Sequence, residues 1–344
     1  MSEKKDYGLC PNCGSDHLKK NGWRPRATGK VQAYKCRECE HDFITPRPPS
    51  ETVPMRRTVP TSKRYIITAA QNATPVHEPF FDALEHCAEY YGAELIVVPG
   101  RYQNPTSMYS DSVREQEWWD KRVVKYLTKV DINLGERLML LGDIKVRWAA
   151  QNPLASTETL TRDKSGIIGH PRCALKSVAT PQHKQPKMMF TTGCCTIKNY
   201  TDTKAGKIGA FHHCFGALIV EVEGSRFHVR QMNAMQNGSF IDLDKEFTPN
   251  GVKDAGRALS LVMGDTHWIN RSLKVERATF GKGGIIETVR PHHLVWHDVL
   301  DFYSRNHHHK GQWLTDYKKH LSNLDDVESE VIGTLDYIKD MTGS

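Results

Sequence analysis

The side chains best suited to chemistry are concentrated between Leu261 and His309. An apolar run, Leu261-Val-Met-Gly264, leads into Asp265-Thr-His267, and a second, Leu294-Val-Trp, leads into His297-Asp298. Alternate side chains along extended backbone share a face, so Asp265 and His267 leave such a strand on one side and can reach one ion. Asp298 follows Asp265 by 33 residues, enough for a loop, a short helix and a returning strand. Carboxylates and imidazoles brought together at neighbouring strand ends suit a divalent metal that accepts mixed nitrogen and oxygen ligands: Mn2+, Zn2+, Mg2+ or iron. The bland alternatives are a capping carboxylate beside a hydrogen-bonded histidine for Asp265 and His267, and a turn residue for Asp298. His292 and His293 read as loop residues.

A second constellation is the cysteine set Cys10-Pro-Asn-Cys13 and Cys36-Arg-Glu-Cys39, a C-x2-C-x22-C-x2-C pattern. Two residues between thiolates let one tight turn present both sulfurs to a tetrahedral ion, and two such knuckles close a structural Zn2+ site. In a module of about 50 residues the metal takes the place of a hydrophobic core that so short a chain cannot build. The intervening residues read as two short strands around a Gly/Pro turn. The other cysteines show no such spacing: Cys195 with His212 or His213 could suggest a thiol nucleophile, but buried cysteine is commonplace.

The charge is unevenly placed. Residues 1–64 hold 14 Lys and Arg against 7 Asp and Glu, whereas the remaining 280 hold 33 of each. A basic module on a neutral body points to a polyanionic partner. Within it Lys19, Lys20, Arg24, Arg26, Lys30, Lys35 and Arg37 are candidates for phosphate contacts, and Trp23 or Tyr34 for stacking on a base; ribbon core is the competing role for the aromatics. No apolar run reaches the ~18–20 residues of a membrane span, and the amino terminus leads into the cysteine motif rather than an apolar signal core. The expected location is the cytoplasm.

Four segments are expected: a ribbon over 1–46, a proline-rich linker over 47–63, an α/β domain over 64–258, and a metal-binding segment over 259–344 that ends in an amphipathic helix or helix pair. The expected fold class is α/β, with mixed or parallel sheets and flanking helices. Arg64-Tyr-Ile-Ile-Thr-Ala-Ala reads as a strand, the pattern from Glu78 to Tyr91 as a helix, and Glu94-Leu-Ile-Val-Val-Pro99 as a buried strand, so a βαβ unit is expected. Its strand-end loops, Gln71–His77 and Gly100–Ser107, carry donors for a phosphate or a base. Leu138–Leu141 looks like another strand, closed by Gly142-Asp143, and residues 217–232 like a hairpin turning at Gly224-Ser225. The run from Ala258 to Gly264 is apolar enough for a central strand.

Gly264-Asp265-x-His267, followed by an apolar strand and Asp298-x-x-Asp301, resembles the opening of calcineurin-like metallophosphoesterases. The resemblance implies that Asp265 and His267 hold one metal, that Asp298 bridges two, and that Asp301 is an outer-shell carboxylate. It also implies that an Asn-His pair, here Asn306-His307, supplies a further ligand and steadies the phosphate. The pattern departs from the family at His297, where glycine is usual, and in the short spacing from Asp301 to Asn306. No later Gly-x-His-x-His follows. The amino-terminal module is similar to the zinc ribbons of insertion-sequence transposases, which implies DNA binding, and the whole chain resembles zinc-ribbon phosphoesterase-like proteins of tailed phages. The expected function is a metal-dependent phosphodiesterase acting on DNA, the alternative a non-catalytic DNA-binding or regulatory protein. The motifs supply only part of a ligand set, so either a homo-oligomer or a further polypeptide segment is expected to complete it, unless the histidine clusters do so or catalysis has been lost.

Overall fold

The computed structural model describes residues 8–10, 15–26, 29–44, 62–102, 118–181 and 184–343. Cys13 and residues 45–61 of the proline-rich stretch lie outside them. The fold class is α/β, and the chain forms two compact units: Met1–Asp242 with Glu246–Lys253, and Leu243–Lys245 with Asp254–Ser344.

The first unit opens with a three-stranded antiparallel sheet of β1 (Leu18–Arg26), β2 (Gly29–Cys36) and β3 (Asp42–Phe43). After it come β4 (Arg64–Gln71), α1 (Glu78–Tyr91) and β5 (Glu94–Gly100), the expected βαβ unit, with β4 and β5 parallel from Tyr65↔Glu94 to Gln71↔Gly100. β4 is buried along all but its first residue, as a strand covered on both faces must be. The helix forms where its sequence allows. The His77 ring accepts from the Phe80 amide at the N-cap, Pro79 sits in the first turn, and Gly92 closes the other end at φ 57°. Its buried face is Phe80, Phe81, Ala83, Leu84 and Cys87.

After α2 (Lys121–Val124), β6 (Ile132–Asn133), β7 (Leu138–Leu141), β8 (Ser165–Ile168), β9 (Leu175–Val178) and β10 (Lys187–Thr191) form a five-stranded sheet ordered β6-β7-β8-β10-β9. α3 (Lys204–His212) then leads to the hairpin of β11 (Gly216–Glu223) and β12 (Arg226–Asn233), which turns at Gly224, φ 58°. These two strands join β4 and β5 in a four-stranded sheet, β12-β11-β4-β5. One face of that sheet presents Ile66, Ala70, Val97 and Ile219 to α1. The other presents Ile67, Ile96, Leu218 and Val220 to Leu138, Leu140, Ile167 and Phe190 of the five-stranded sheet. The order is therefore helix, sheet, sheet, with the sheets so close at Gly169 that a Cβ there would lie 2.5 Å from Val98.

β13 (Phe240–Asp242), β14 (Lys245–Thr248) and β15 (Gly251–Asp254) form a small sheet where the chain passes between units. The second unit contains β16 (Ser260–Asp265), α4 (Leu273–Phe280), α5 (Ile285–Val289), β17 (His293–His297), α6 (Trp313–Leu321) and α7 (Val327–Thr342). α6 and α7 are the expected carboxyl-terminal helix pair. The central strand expected at 258–264 is not central. Among the described residues β16 pairs only with β17, and Val262 is 62% exposed. Apolar composition marked the strand correctly, but burial depends on neighbours that this sheet does not have.

Two imidazoles seal the polar end of the first unit's sandwich. His213 Nε2 donates to the Thr196 carbonyl at 2.9 Å while its Nδ1 accepts from the Tyr200 hydroxyl at 2.8 Å. His170 Nε2 donates to the Arg147 carbonyl, and its Nδ1 accepts from the Arg172 amide. Burial pushes the pKa of His213 down to about 3 and that of His170 down to about 4. Both are therefore neutral in the folded unit, whereas the unfolded chain takes up these protons below about pH 6.5. The folded-state values are depressed, so stability falls as pH drops through 6.5 and goes on falling until about pH 4 for His170 and about pH 3 for His213, by up to about 1.4 kcal/mol per pH unit for each ring. His213→Gln is expected to flatten that slope, read as unfolding free energy in urea at pH 7, 6 and 5; an unchanged slope would show that the ring is not held neutral.

Candidate metal centre and nucleic-acid interface

In the amino-terminal sheet, Cys10, Cys36 and Cys39 bring their sulfurs within 4.8 Å of one another, with Cys10 and Cys39 3.6 Å apart. Among the described residues this is the one cluster of three or more metal-type ligands. Cys36 ends β2, and its Sγ accepts the Glu38 amide at 3.4 Å, the N–H···S contact that a knuckle turn makes. Cys10 and Cys36 are fully buried, packed with Leu18 and Phe43. A thiol set this tight in so small an apolar core fits a structural zinc ion, and Cys13, in the same motif, lies outside the described residues.

The same strands display the basic side chains. Lys19 stands directly opposite Lys35, a like-charge cross-strand pair. A register shift between Lys20 and Trp23 leaves Trp23 64% exposed, as a stacking residue needs. Arg24, Lys30 and Arg37 are exposed as well, and the backbone of Arg26 pairs with Gly29. Lys35 also lies 3.9 Å from Glu40. Tyr34 is half-buried, its ring stacked 6.0 Å from Phe43, which assigns it to the ribbon's packing.

In the second unit β16 and β17 run parallel, with Ser260↔His293, Leu261↔Leu294 and Val262↔Val295, then a bulge, then Asp265↔His297. Both strands therefore end at the same edge. The chain leaving β16 stays fastened to the chain leaving β17: the amides of Thr266, His267 and Trp268 donate in turn to the carbonyls of His297, Asp298 and Val299. Asp265 and Asp298 are exposed at that edge. His267 and Asp298 adopt left-handed backbone, φ 42° and φ 40°, a conformation that costs a non-glycine residue of order 1 kcal/mol and tends to persist at functional sites. The buried Nδ1 of His267 has no hydrogen bond of good geometry and sits 3.0 Å from Oδ1 of Asp301. A carboxylate on one ring nitrogen is how metal-binding histidines are usually oriented, leaving Nε2 for the ion. The donors are of the right kind for a divalent cation, but their ligand atoms do not converge as the cysteines do.

Asn306 and His307 lie further along the same loop. The Asn306 carbonyl oxygen caps a short 3-10 turn by accepting the His308 amide at 2.9 Å, and His307 is exposed, its ring 3.9 Å from that of His308. The loop is held from below by Glu330 of α7. Its two carboxylate oxygens accept the Tyr303 and Ser304 amides at 2.7 and 2.9 Å, and Glu330 is 4% exposed. Lys319 of α6 is also buried, its ammonium 5.0 Å from the Tyr303 ring. Sequence reasoning did not single out Glu330 or Lys319. No local signal marks them, because both lie off the apolar stripes of their helices, whose residues Leu314, Tyr317, Leu321 and Leu335 are exposed.

The expected donors at the first unit's strand ends are already engaged. Gln71 donates to the Asn199 carbonyl and accepts the Asn199 amide, and the Asn72 oxygen accepts the Tyr102 amide. These side chains brace the sandwich instead of facing a ligand, and residues 103–107 lie outside the described ones. Asp143 is an exposed turn residue 3.7 Å from Lys129. Cys195 is fully buried with its thiol pKa pushed well up by burial, and His213 is committed to Tyr200 and Thr196, so the pair makes no nucleophile.

Glu330→Ala would leave two partly buried amides without an acceptor, costing about 1–3 kcal/mol. Faster hydrogen exchange at Tyr303 and Ser304 is the expected readout, and unchanged exchange would mean that the loop is held by something else.

Comparison with curated proteins places this chain beside Protein A1 of Escherichia phage T5. The two are 33% identical over 286 residues, a match that takes in 80% of this chain and 51% of that protein. The chain thus spans about half the length of the curated relative it matches. No family model matches it, and no solved structure does so. What the comparisons and the geometry establish together is a relative of a phage protein that carries an amino-terminal cysteine cluster able to hold a metal ion.

Proposed function

We propose that this protein is a metal-dependent phosphodiesterase acting on nucleic acid, DNA in the first instance, with its zinc ribbon as the DNA-holding module. The observation that carries the reading is the shared edge of β16 and β17, where Asp265, His267 and Asp298 emerge side by side with Asp301 behind the histidine ring. A divalent cation held there, Mn2+, Zn2+ or Mg2+, would polarise a phosphoryl oxygen and lower the pKa of an attacking water. The chain's own part is to offer two carboxylates and the Nε2 of His267 from strongly hydrogen-bonded backbone, with the Asp301 carboxylate 3.0 Å from the other ring nitrogen. The exposure of Asp265 and Asp298 suits a bulky polymeric substrate better than a small one in a closed pocket. Lys19 and Lys35, with Arg24, Lys30 and Arg37, would hold the backbone of that polymer.

Asp265→Asn is expected to lower Mn2+-dependent cleavage of DNA at least a hundredfold while leaving DNA binding intact. Cleavage equal to the parent's would remove the catalytic reading. A second reading, a DNA-binding protein whose second unit is structural, gains from the failure of the ligand atoms to converge. It predicts binding with no cleavage in any metal.

Both readings place DNA on the ribbon. Replacing Lys19 and Lys35 with glutamine removes up to two phosphate contacts, which should flatten the slope of log K against log salt by about 1.8. A slope that does not move would take DNA off this face.

A further inference from the structure

The second unit lacks the interior that a domain of its length should have. Even a 60-residue domain buries about 60% of the surface its unfolded chain exposes. Yet among the described residues from 254 on, only Val299 and Tyr337 are buried large hydrophobics, while Ser304, Lys319, Glu330 and Thr334 are buried polar ones. Large apolar side chains lie instead on the outside, among them Trp313 at 76%, Leu321 at 65% and Val262 at 62% exposure. The sheet shows the same one-sidedness. Trp296 packs on its inner face against Phe280 of α4 and Tyr337 of α7. Its outer face presents Ser260, Val262, His293 and Val295 to solvent. Parallel sheets are normally covered on both faces, and a two-stranded one leaves each strand with an unpaired edge.

We infer that the outer face and a free edge of the β16–β17 sheet are a docking surface for a polypeptide equivalent to the part of Protein A1 that has no counterpart in this chain. That relative is about twice as long as the stretch it shares with this chain, so material for the rest of such a domain exists in a homologous protein. A segment that adds parallel strands to the edge delivers its own strand ends beside Asp265 and Asp298, where further ligands are needed. That last point rests on the phosphodiesterase reading; the docking itself does not. A second copy of this chain fits less well. Two-fold pairing of the same edge strand sets the copies antiparallel and carries their aspartates to opposite ends.

The test mixes the purified chain of residues 1–344 with the purified portion of Protein A1 that this chain does not match. Size-exclusion chromatography with light scattering and hydrogen exchange are read without metal. The expected result is a one-to-one complex in which residues 260–265 and 293–297 become protected. Val262→Glu with Val295→Glu should weaken that complex at least tenfold without changing the free chain's circular dichroism; Val262→Glu alone, at the more exposed of the two positions, serves as the second variant should the pair impair folding. No complex overturns the inference. A homodimer protecting the same strands assigns the face to a second copy, and a monomer already protected there assigns it to the chain's own first unit; both overturn it equally. Asp265→Asn should join the complex as well as the parent does. A complex that forms but never cleaves DNA removes the phosphodiesterase reading and keeps the docking, whereas cleavage without a complex does the reverse.

Discussion

Parallel pairing of β16 with β17 is the constraint on which the candidate site depends. Antiparallel strands of the same sequence would send Asp265 and Asp298 to opposite ends of the sheet, some 15–20 Å apart for strands of five or six residues. Parallel strands finish together, and the three amide-to-carbonyl bonds beyond their ends keep the two loops in step. The bulge between Val262 and Asp265 adjusts which side chains face which, so that the residue opposite Asp265 is His297 and the next along is Asp298. The position of every proposed ligand in the second unit follows from that register, and Glu330 extends the control to the loop beyond it.

The two candidate sites share a shortage of apolar interior and meet it differently. The ribbon has only Leu18, Phe43 and the cysteines to pack, and a metal ion there would supply the cohesion that so small a core cannot. The second unit has many more apolar residues, but among the described ones from 254 on only Val299 and Tyr337 are buried large hydrophobics, while twelve large ones are exposed. The sandwich of the first unit is the contrast: β4 is covered on both faces, and even its polar strand ends are tied off by Gln71, Asn199 and His213.

Much of this was legible in the sequence because it depends on local spacing. The cysteine knuckles, the βαβ unit from Arg64 to Gly100, the hairpin at Gly224 and the strand-end aspartates all declare themselves by periodicity or by two- and three-residue intervals. What could not be read was whatever depends on a neighbour distant in the chain. The apolar run at 258–264 has the composition of a central strand, yet the structure pairs it on one side only. Gln71 and Asn72 look like ligand donors until Asn199 and Tyr102 are found occupying them. Glu330 and Lys319 were not singled out because their burial is set by a loop some 15 to 27 residues away.

The left-handed backbone at His267 and Asp298 has a consequence for how such a protein changes over time. At both positions glycine is the relaxed residue, free of the steric cost that a side chain carries there. Substitution by glycine would therefore relieve that cost wherever nothing required an imidazole or a carboxylate. A side chain retained at such a turn is an ongoing expense, so these two positions serve as a gauge. Descendants that keep His and Asp remain under selection for what the side chains do, and those that relax to glycine have let the site go while holding the fold.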